Sequence, residues 1–136
     1  MGKRLHYRKL VVPSNSFGAS APTLIMPRFV ILEHDRPDLH WDLMLESGDV
    51  LATWALPPQP FGEFRCSAKC LPDHRKCFLD YEGEVSGNRG SVRRIDAGNF
   101  QCLDKQRFLL HGTVFVGVLE FQMDSCEFHP SGTSTD

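Results

Sequence analysis

The sequence predicts an all-β domain, a small closed or partly closed β-barrel with short helical or loop insertions. Three observations predict it. Short runs of alternating apolar and polar residues recur along the chain. Gly, Pro, Asn and Asp residues divide them at intervals of about 8–12 residues, the spacing of turns in barrels and sandwiches. No stretch keeps a helical apolar period over several turns. At 136 residues, 41% hydrophobic and 24% charged, the chain suits one globular domain that buries a core without disulfides.

Residues 1–25 carry Lys3, Arg4, Arg8 and Lys9 and no acid, and the apolar run Leu10–Val12 is too short for a signal segment. Ser14, Ser16, Gly18, Ser20 and Pro22 come next, so this stretch reads as a flexible N-terminal extension ahead of Met26. The domain is expected over residues 26–124, with 125–136 as a C-terminal tail. Arg28–Glu33 is a compact apolar strand. After a loop containing Pro37, His40–Glu46 alternates: Trp41, Leu43 and Leu45 take one face, His40, Asp42, Met44 and Glu46 the other. Ser47-Gly48-Asp49 turns the chain into Val50–Leu56. Pro57-Pro58-Gln59-Pro60 ends that strand, and the next residues are compatible with a short helix near Pro60–Phe64 or Ala68–Leu71. Further strands are expected at Phe78–Val85, Ser91–Ile95, Asn99–Leu103, Arg107–His111 and Val114–Met123. Gly87-Asn88-Arg89-Gly90, Ala97-Gly98-Asn99 and Gly112 punctuate them. Trp41 and Trp54 read as core residues, because each shares its strand face with aliphatic neighbours.

Net charge is −2, which excludes a strongly basic nucleic-acid coat. The charge is unevenly spread. Acids prevail from Arg28 to Val50 and bases from Arg65 to Arg94, a pairing that suits a metal beside a phosphate-bearing substrate and equally suits solvated strand faces. Five cysteines at irregular spacings favour reduced thiols and a cytoplasmic setting. No apolar run approaches the roughly 20 residues needed to span a bilayer, so no membrane association is expected.

His34-x5-His40-x-Asp42 is the first constellation with chemistry. His40 and Asp42 are two apart on one strand and project from the same face. The Asp35–Leu39 loop lets His34 return towards them. Two imidazoles and one carboxylate leave coordination positions open, as catalytic metal sites do, and Mn, Fe or Zn all fit the donors. The bland alternative is a polar strand face whose histidines bond backbone. The second constellation is Asp73-His74, then Asp80-Tyr81-Glu82-Gly83 and the Gly87–Gly90 turn with nearby arginines; it suits phosphate binding or general acid catalysis, or a merely structural histidine. A third, Cys66-x3-Cys70-x3-His74-x2-Cys77, offers four soft ligands to a structural zinc ion, at spacings unlike a zinc knuckle.

Three segments together resemble a known family, the 3′-phosphoesterase domain of bacterial DNA ligase D, which also occurs free-standing. They are FVILEHDRPDLHWDLMLESGDVLATWALP, DHRKCFLDYEGEVSGNRGSVRRIDAGNF, and FLLHG with its adjoining apolar strand. The resemblance runs from about Arg28 to about Phe121. It implies a β-barrel, dependence on a divalent metal (Mn²⁺ first, Zn²⁺ or another transition metal as alternatives), and removal of a 3′-phosphate or a terminal 3′-ribonucleotide from DNA ends in repair. By position it implies His34, His40 and Asp42 as metal ligands and His74 beside the scissile phosphate. Arg65 lies near the place of a phosphate-contacting arginine, given a one-residue insertion. Two positions depart from the family pattern: Met44 stands where it has arginine and Phe78 where it commonly has tyrosine. Met44 cannot compensate phosphate charge and Phe78 cannot donate a hydrogen bond.

With that resemblance, His74 would stabilise or protonate an oxygen of the reacting phosphate. Arg89, with Arg65 or Arg93, would offset charge in the transition state, and Arg93 and Glu82 would face the substrate. The partners expected are DNA 3′ ends on a primer-template or nicked duplex, and a ligase or polymerase encoded elsewhere. The alternative is a non-catalytic metal-binding module that holds DNA ends or a repair partner; Met44 and Phe78 favour it.

Overall fold

In the computed structural model, which describes residues 26–131, the first apolar run becomes strand β1 (Arg28–His34). It is followed by β2 (His40–Ser47) and β3 (Val50–Leu56), joined through Gly48 at φ +63°. Then come β4 (Phe64–Ser67), β5 (Lys69–Arg75), a 3₁₀ turn (Lys76–Asp80) and the two-residue β6 (Gly83–Glu84). The long β7 (Ser91–Cys102), β8 (Arg107–Gly112), β9 (Val116–Gln122) and β10 (Ser125–Pro130) complete the chain. All pairings are antiparallel, in the order β4-β10-β9-β8-β7-β1-β2-β3-β5, with β6 paired to β7. The end strands β4 and β5 are separated only by Ala68, so the sheet returns on itself there without closing fully. The expected all-β, partly closed barrel is what forms. No helix among the described residues is long and apolar enough to cross a membrane.

Strand periodicity separates two apolar layers. Phe29 and Ile31, Trp41, Leu43 and Leu45, and Trp54 and Leu56 face the main core, where they meet Phe100, Phe115, Phe121 and Phe128. Burying such side chains stabilises the fold by about 1.5–3 kcal/mol each. The opposite face of β1–β3 is not simply solvated. Val30, Leu32, Met44 and Leu51 lie under Leu79 of the 3₁₀ turn and Val92 of β7, forming a second cluster. Beyond it, on the same face, stand His34, His40 and Asp42.

Several sequence expectations are corrected. Phe78–Val85 is not one strand: its first part is the 3₁₀ turn, which Arg28 ties to β1 through Asp80 (2.6 Å), and only Gly83–Glu84 pairs, as β6. Neither short helix forms: residues 60–63 are an irregular bend leading into β4 at Phe64, and Lys69–Arg75 is strand β5. Ala97-Gly98-Asn99 is no turn but the middle of β7. A Cβ at Gly98 would lie 2.1 Å from the His111 carbonyl oxygen, so glycine there permits close approach of β8. The tail expected from residue 125 begins instead with β10, whose Cys126 and Phe128 are buried between β9 and β4. The N-terminal extension lies outside the described residues.

Candidate metal centre

The β1–β2 reversal positions the first constellation. His34 closes β1 and His40 opens β2 directly opposite it, with Asp42 two residues on and facing the same way. The two rings lie 5.0 Å apart, and one ligand atom from each of the three residues falls within 4.8 Å of the others. Asp42 is 1% exposed, so its carboxylate has little water to satisfy it.

Backbone carbonyls fix which ring nitrogens remain bare. His34 Nε2 lies 2.7 Å from the Arg89 carbonyl oxygen, and His40 Nδ1 lies 2.7 Å from that of Asp38. A carbonyl only accepts, so each of these nitrogens carries the proton. That leaves His34 Nδ1, 3.1 Å from Asp42 Oδ2, and His40 Nε2, 3.0 Å from Asp42 Oδ1. The second contact is not aligned as a hydrogen bond, and Oδ1 is buried without one. A bare imidazole nitrogen against a carboxylate oxygen is repulsive unless a proton or a cation lies between them. Histidines held by a carbonyl at one nitrogen while presenting the other are the usual arrangement of metal ligands. The donor set could hold a divalent transition metal.

His74 reaches the same place through a β-bulge. Thr53 of β3 pairs with Leu71, but Leu51 pairs with His74 rather than Asp73, so β5 carries one extra residue. Pro72 sits in that bulge, on a sheet-end strand where its missing N–H costs nothing in the ladder. The Pro72 carbonyl accepts from His74 Nδ1 (2.9 Å), leaving Nε2 bare. A pocket of about 380 Å³ joins His34, His40 and Asp42 to His74. Ala55, which pairs with Asp42 on one side and Lys69 on the other, keeps that hollow open with its single methyl. Arg36 and Lys69 also line it. Sequence reading misses both. The signals that could have found them are Arg36 within the His34–His40 loop and Lys69 at the start of the strand that carries His74.

The other expected site residues are placed differently. Arg89 contributes its backbone carbonyl to His34, while its guanidinium donates to Ser86 O (2.6 Å) and lines a neighbouring cleft of about 540 Å³ with Phe78, Tyr81 and Arg75. That cleft adjoins the histidine–aspartate pocket, sharing Leu71 and His74 with it. Arg65 extends from β4 to Glu127 of β10 (3.1 Å) and lines neither cavity. Arg93 pairs with Glu33 (2.6 Å), and their strand positions alternate with those of His34 and Val92. Glu82 accepts from the Arg94 backbone N–H (2.6 Å) and also lines neither cavity. Met44, at the departed arginine position, is 1% exposed in the second apolar cluster. Phe78 lies edge-on to the His74 ring, 5.8 Å between centroids.

The cysteine constellation does not converge. Cys66 and Cys70 pack against the main core, and Cys66 lies directly across from Cys126, whose thiol is pushed up by its hydrogen bond with Cys66 and by burial. Among the described residues the one further donor group is Glu120, Glu127 and His129 on β9 and β10, with Glu127 already bound to Arg65.

No curated protein matches the sequence at a significant level. Residues 32–129 match the family described as the DNA Ligase D 3'-phosphoesterase domain. This span runs from the end of β1 to the end of β10, takes in His34, His40, Asp42 and His74, and covers most of the chain. By that match the chain belongs to the DNA ligase D 3′-phosphoesterase domain family.

Proposed function

We propose that the protein is a divalent-metal-dependent 3′-phosphoesterase that processes DNA 3′ ends in repair, with Mn²⁺ the first choice of metal. The observation that carries this is the meeting of His34, His40, Asp42 and His74 in one pocket, with one nitrogen of each histidine free of the backbone and Asp42 Oδ1 buried without a hydrogen bond. His34 Nδ1, His40 Nε2 and Asp42 hold the ion. When bound, the ion supplies Lewis acidity towards a phosphoryl oxygen and lowers the pKa of water. His74, protonated at Nδ1 against the Pro72 carbonyl, uses Nε2 to exchange a proton with the reacting phosphate or its leaving oxygen. The Ala55 methyl floor leaves space for the phosphate beside Asp42.

The test is phosphate release from a DNA strand carrying a 3′-phosphate, with and without Mn²⁺. His74→Ala should abolish release while leaving Mn²⁺ affinity in place, and Asp42→Asn should lower both. The second reading, a metal-binding module without turnover, is favoured by Phe78, which occupies the edge of His74 with a ring that cannot hydrogen-bond. Wild-type protein that binds Mn²⁺ and 3′-phosphorylated DNA yet releases no phosphate from either 3′-phosphate or 3′-ribonucleotide ends would establish that reading instead.

A further inference from the structure

We infer that Arg36 and Lys69 form a two-cation phosphate clamp across the metal pocket, and that it makes the site prefer a 3′-phosphomonoester over a 3′-phosphodiester. The inference deepens the proposed function and rests on its metal-centred pocket.

Strand pairing places Lys69. Asp42, Ala55 and Lys69 are successive partners on β2, β3 and β5 and so face the same way. Two interstrand spacings, about 10 Å, separate the backbone of Lys69 from that of Asp42. A lysine stem covers much of that gap, and the intervening Ala55 does not obstruct it. Arg36 enters from the β1–β2 loop. Its stem lies so near Gly90 that a Cβ there would come within 2.3 Å of Arg36 Cγ, and its guanidinium donates to the Asn88 carbonyl (3.3 Å). Arg36 and Lys69 thus line one pocket from different elements.

Most nearby cations are committed elsewhere: Arg28 to Asp80, Lys76 to Glu46, Arg93 to Glu33, Arg65 to Glu127. Among the described residues neither Arg36 nor Lys69 enters an ion pair. With a divalent ion on Asp42, the ligand set keeps one net positive charge. A phosphomonoester carries nearly two negative charges at neutral pH, so it would leave one uncompensated without further cations. A diester carries one and would be neutralised by the ligand set alone. Arg36 and Lys69 thus act mainly on the second charge of the monoester, the charge that Met44 cannot meet.

The test measures binding of Mn²⁺-loaded full chain to three otherwise identical DNA strands, ending in 3′-hydroxyl, 3′-phosphate or a 3′-phosphate methyl diester. Hydrolysis of the same phosphorylated strands is followed in parallel. Wild type should bind the 3′-phosphate strand most tightly. Arg36→Gln and Lys69→Gln should each weaken that binding about tenfold, the usual scale of a lost charge-assisted contact, and the double variant should bind all three strands nearly alike. Arg36→Lys should keep the preference, and Mn²⁺ affinity and melting temperature should be unchanged in Lys69→Gln. An undiminished monoester preference in the double variant would overturn the clamp even if the enzyme is active. Conversely, a clamp-dependent preference in a wild-type protein without turnover would support the clamp while removing the phosphoesterase reading. Absence of any preference in wild type would overturn it outright.

Discussion

At the scale of single residues, the three pocket histidines obey one rule: a backbone carbonyl takes one ring nitrogen and leaves the other free of the backbone. Arg89, Asp38 and Pro72 supply those carbonyls. The rule makes Gly90 sensitive. It sits at φ +81°, and an added Cβ would fall 2.3 Å from Asp35 Oδ1 as well as from Arg36. Gly90→Ala should therefore cost at least the roughly 1–2 kcal/mol of a left-handed non-glycine residue and should loosen the Arg89 carbonyl from His34. Denaturant melts and Mn²⁺ titration of the same variant check both effects. Met44 invites the opposite substitution, because restoring arginine would supply the phosphate charge that the family pattern has there. The side chain is enclosed by Val30, Leu51, Leu79 and Val92, so Met44→Arg should instead destabilise the fold by the roughly 3–5 kcal/mol of an uncompensated buried charge. A thermal midpoint equal to wild type would contradict that burial argument.

At the scale of elements, one extra residue in β5 decides whether His74 belongs to the pocket. With regular pairing after Thr53–Leu71, Asp73 would stand opposite Leu51; the bulge puts His74 there. Pro72 is the readable trace of this irregularity, since proline inside a strand points to an edge or a bulge. A second bulge leaves Ile95 of β7 as an extra residue opposite the Ile31–Leu32 step of β1, with Val92 beside His34 and Asp96 opposite the inward Ile31. There the Asp96 carboxylate accepts the Thr113 and Phe115 N–H groups (2.9 and 2.7 Å). Asp96→Ala should leave these two donors without their acceptor and lower stability by about 1–3 kcal/mol, measured by urea melts. The 3₁₀ turn is attached more weakly, at the surface. Its Asp80 carboxyl is held below the usual carboxylate range by the hydrogen bond from Arg28. The lowered folded value means that this tie contributes above the unfolded carboxylate range, near about 3.9, and is lost only as pH falls through the lowered one. The Asp80 carboxyl resonance should titrate below that of an unpaired aspartate, and Arg28→Gln should bring it back.

At the scale of the whole molecule, β10 holds the barrel together by pairing with β9 on one side and β4 on the other while burying Cys126 and Phe128. A chain ending at Asp124 should lose its cooperative melt, because β4 would lose its strand partner and the core its last two inward side chains. A chain beginning at Met26 should keep it; loss of folding there would show that residues 1–25 belong to the domain. The Glu120, Glu127 and His129 group lies on β9 and β10, away from the pocket strands β2, β3 and β5 in sheet order.

The sequence by itself determined what depends on local period and spacing. Alternation in β2 put Trp41, Leu43 and Leu45 on the core face, and His34-x5-His40-x-Asp42 assembled a donor set because a hairpin reversal must bring its flanking residues together. Family membership came from the order of those motifs along the chain. Tertiary structure alone decided which long-range neighbours complete the pocket. A bulge shifts facing without altering composition, so His74 could be named from the sequence but its route into the pocket could not. Arg36 and Lys69 are ordinary as isolated cations and become neighbours of Asp42 only through β-pairing and loop contacts. Arg65, Arg89 and Arg93 have the same charge, yet their partners hold the guanidinium groups elsewhere. Met44 falls on the polar side of its strand pattern, and a strand pattern cannot reveal that a later turn covers the outer face. Charge and residue type are written locally; which charge lines the pocket depends on contacts between residues far apart in the chain.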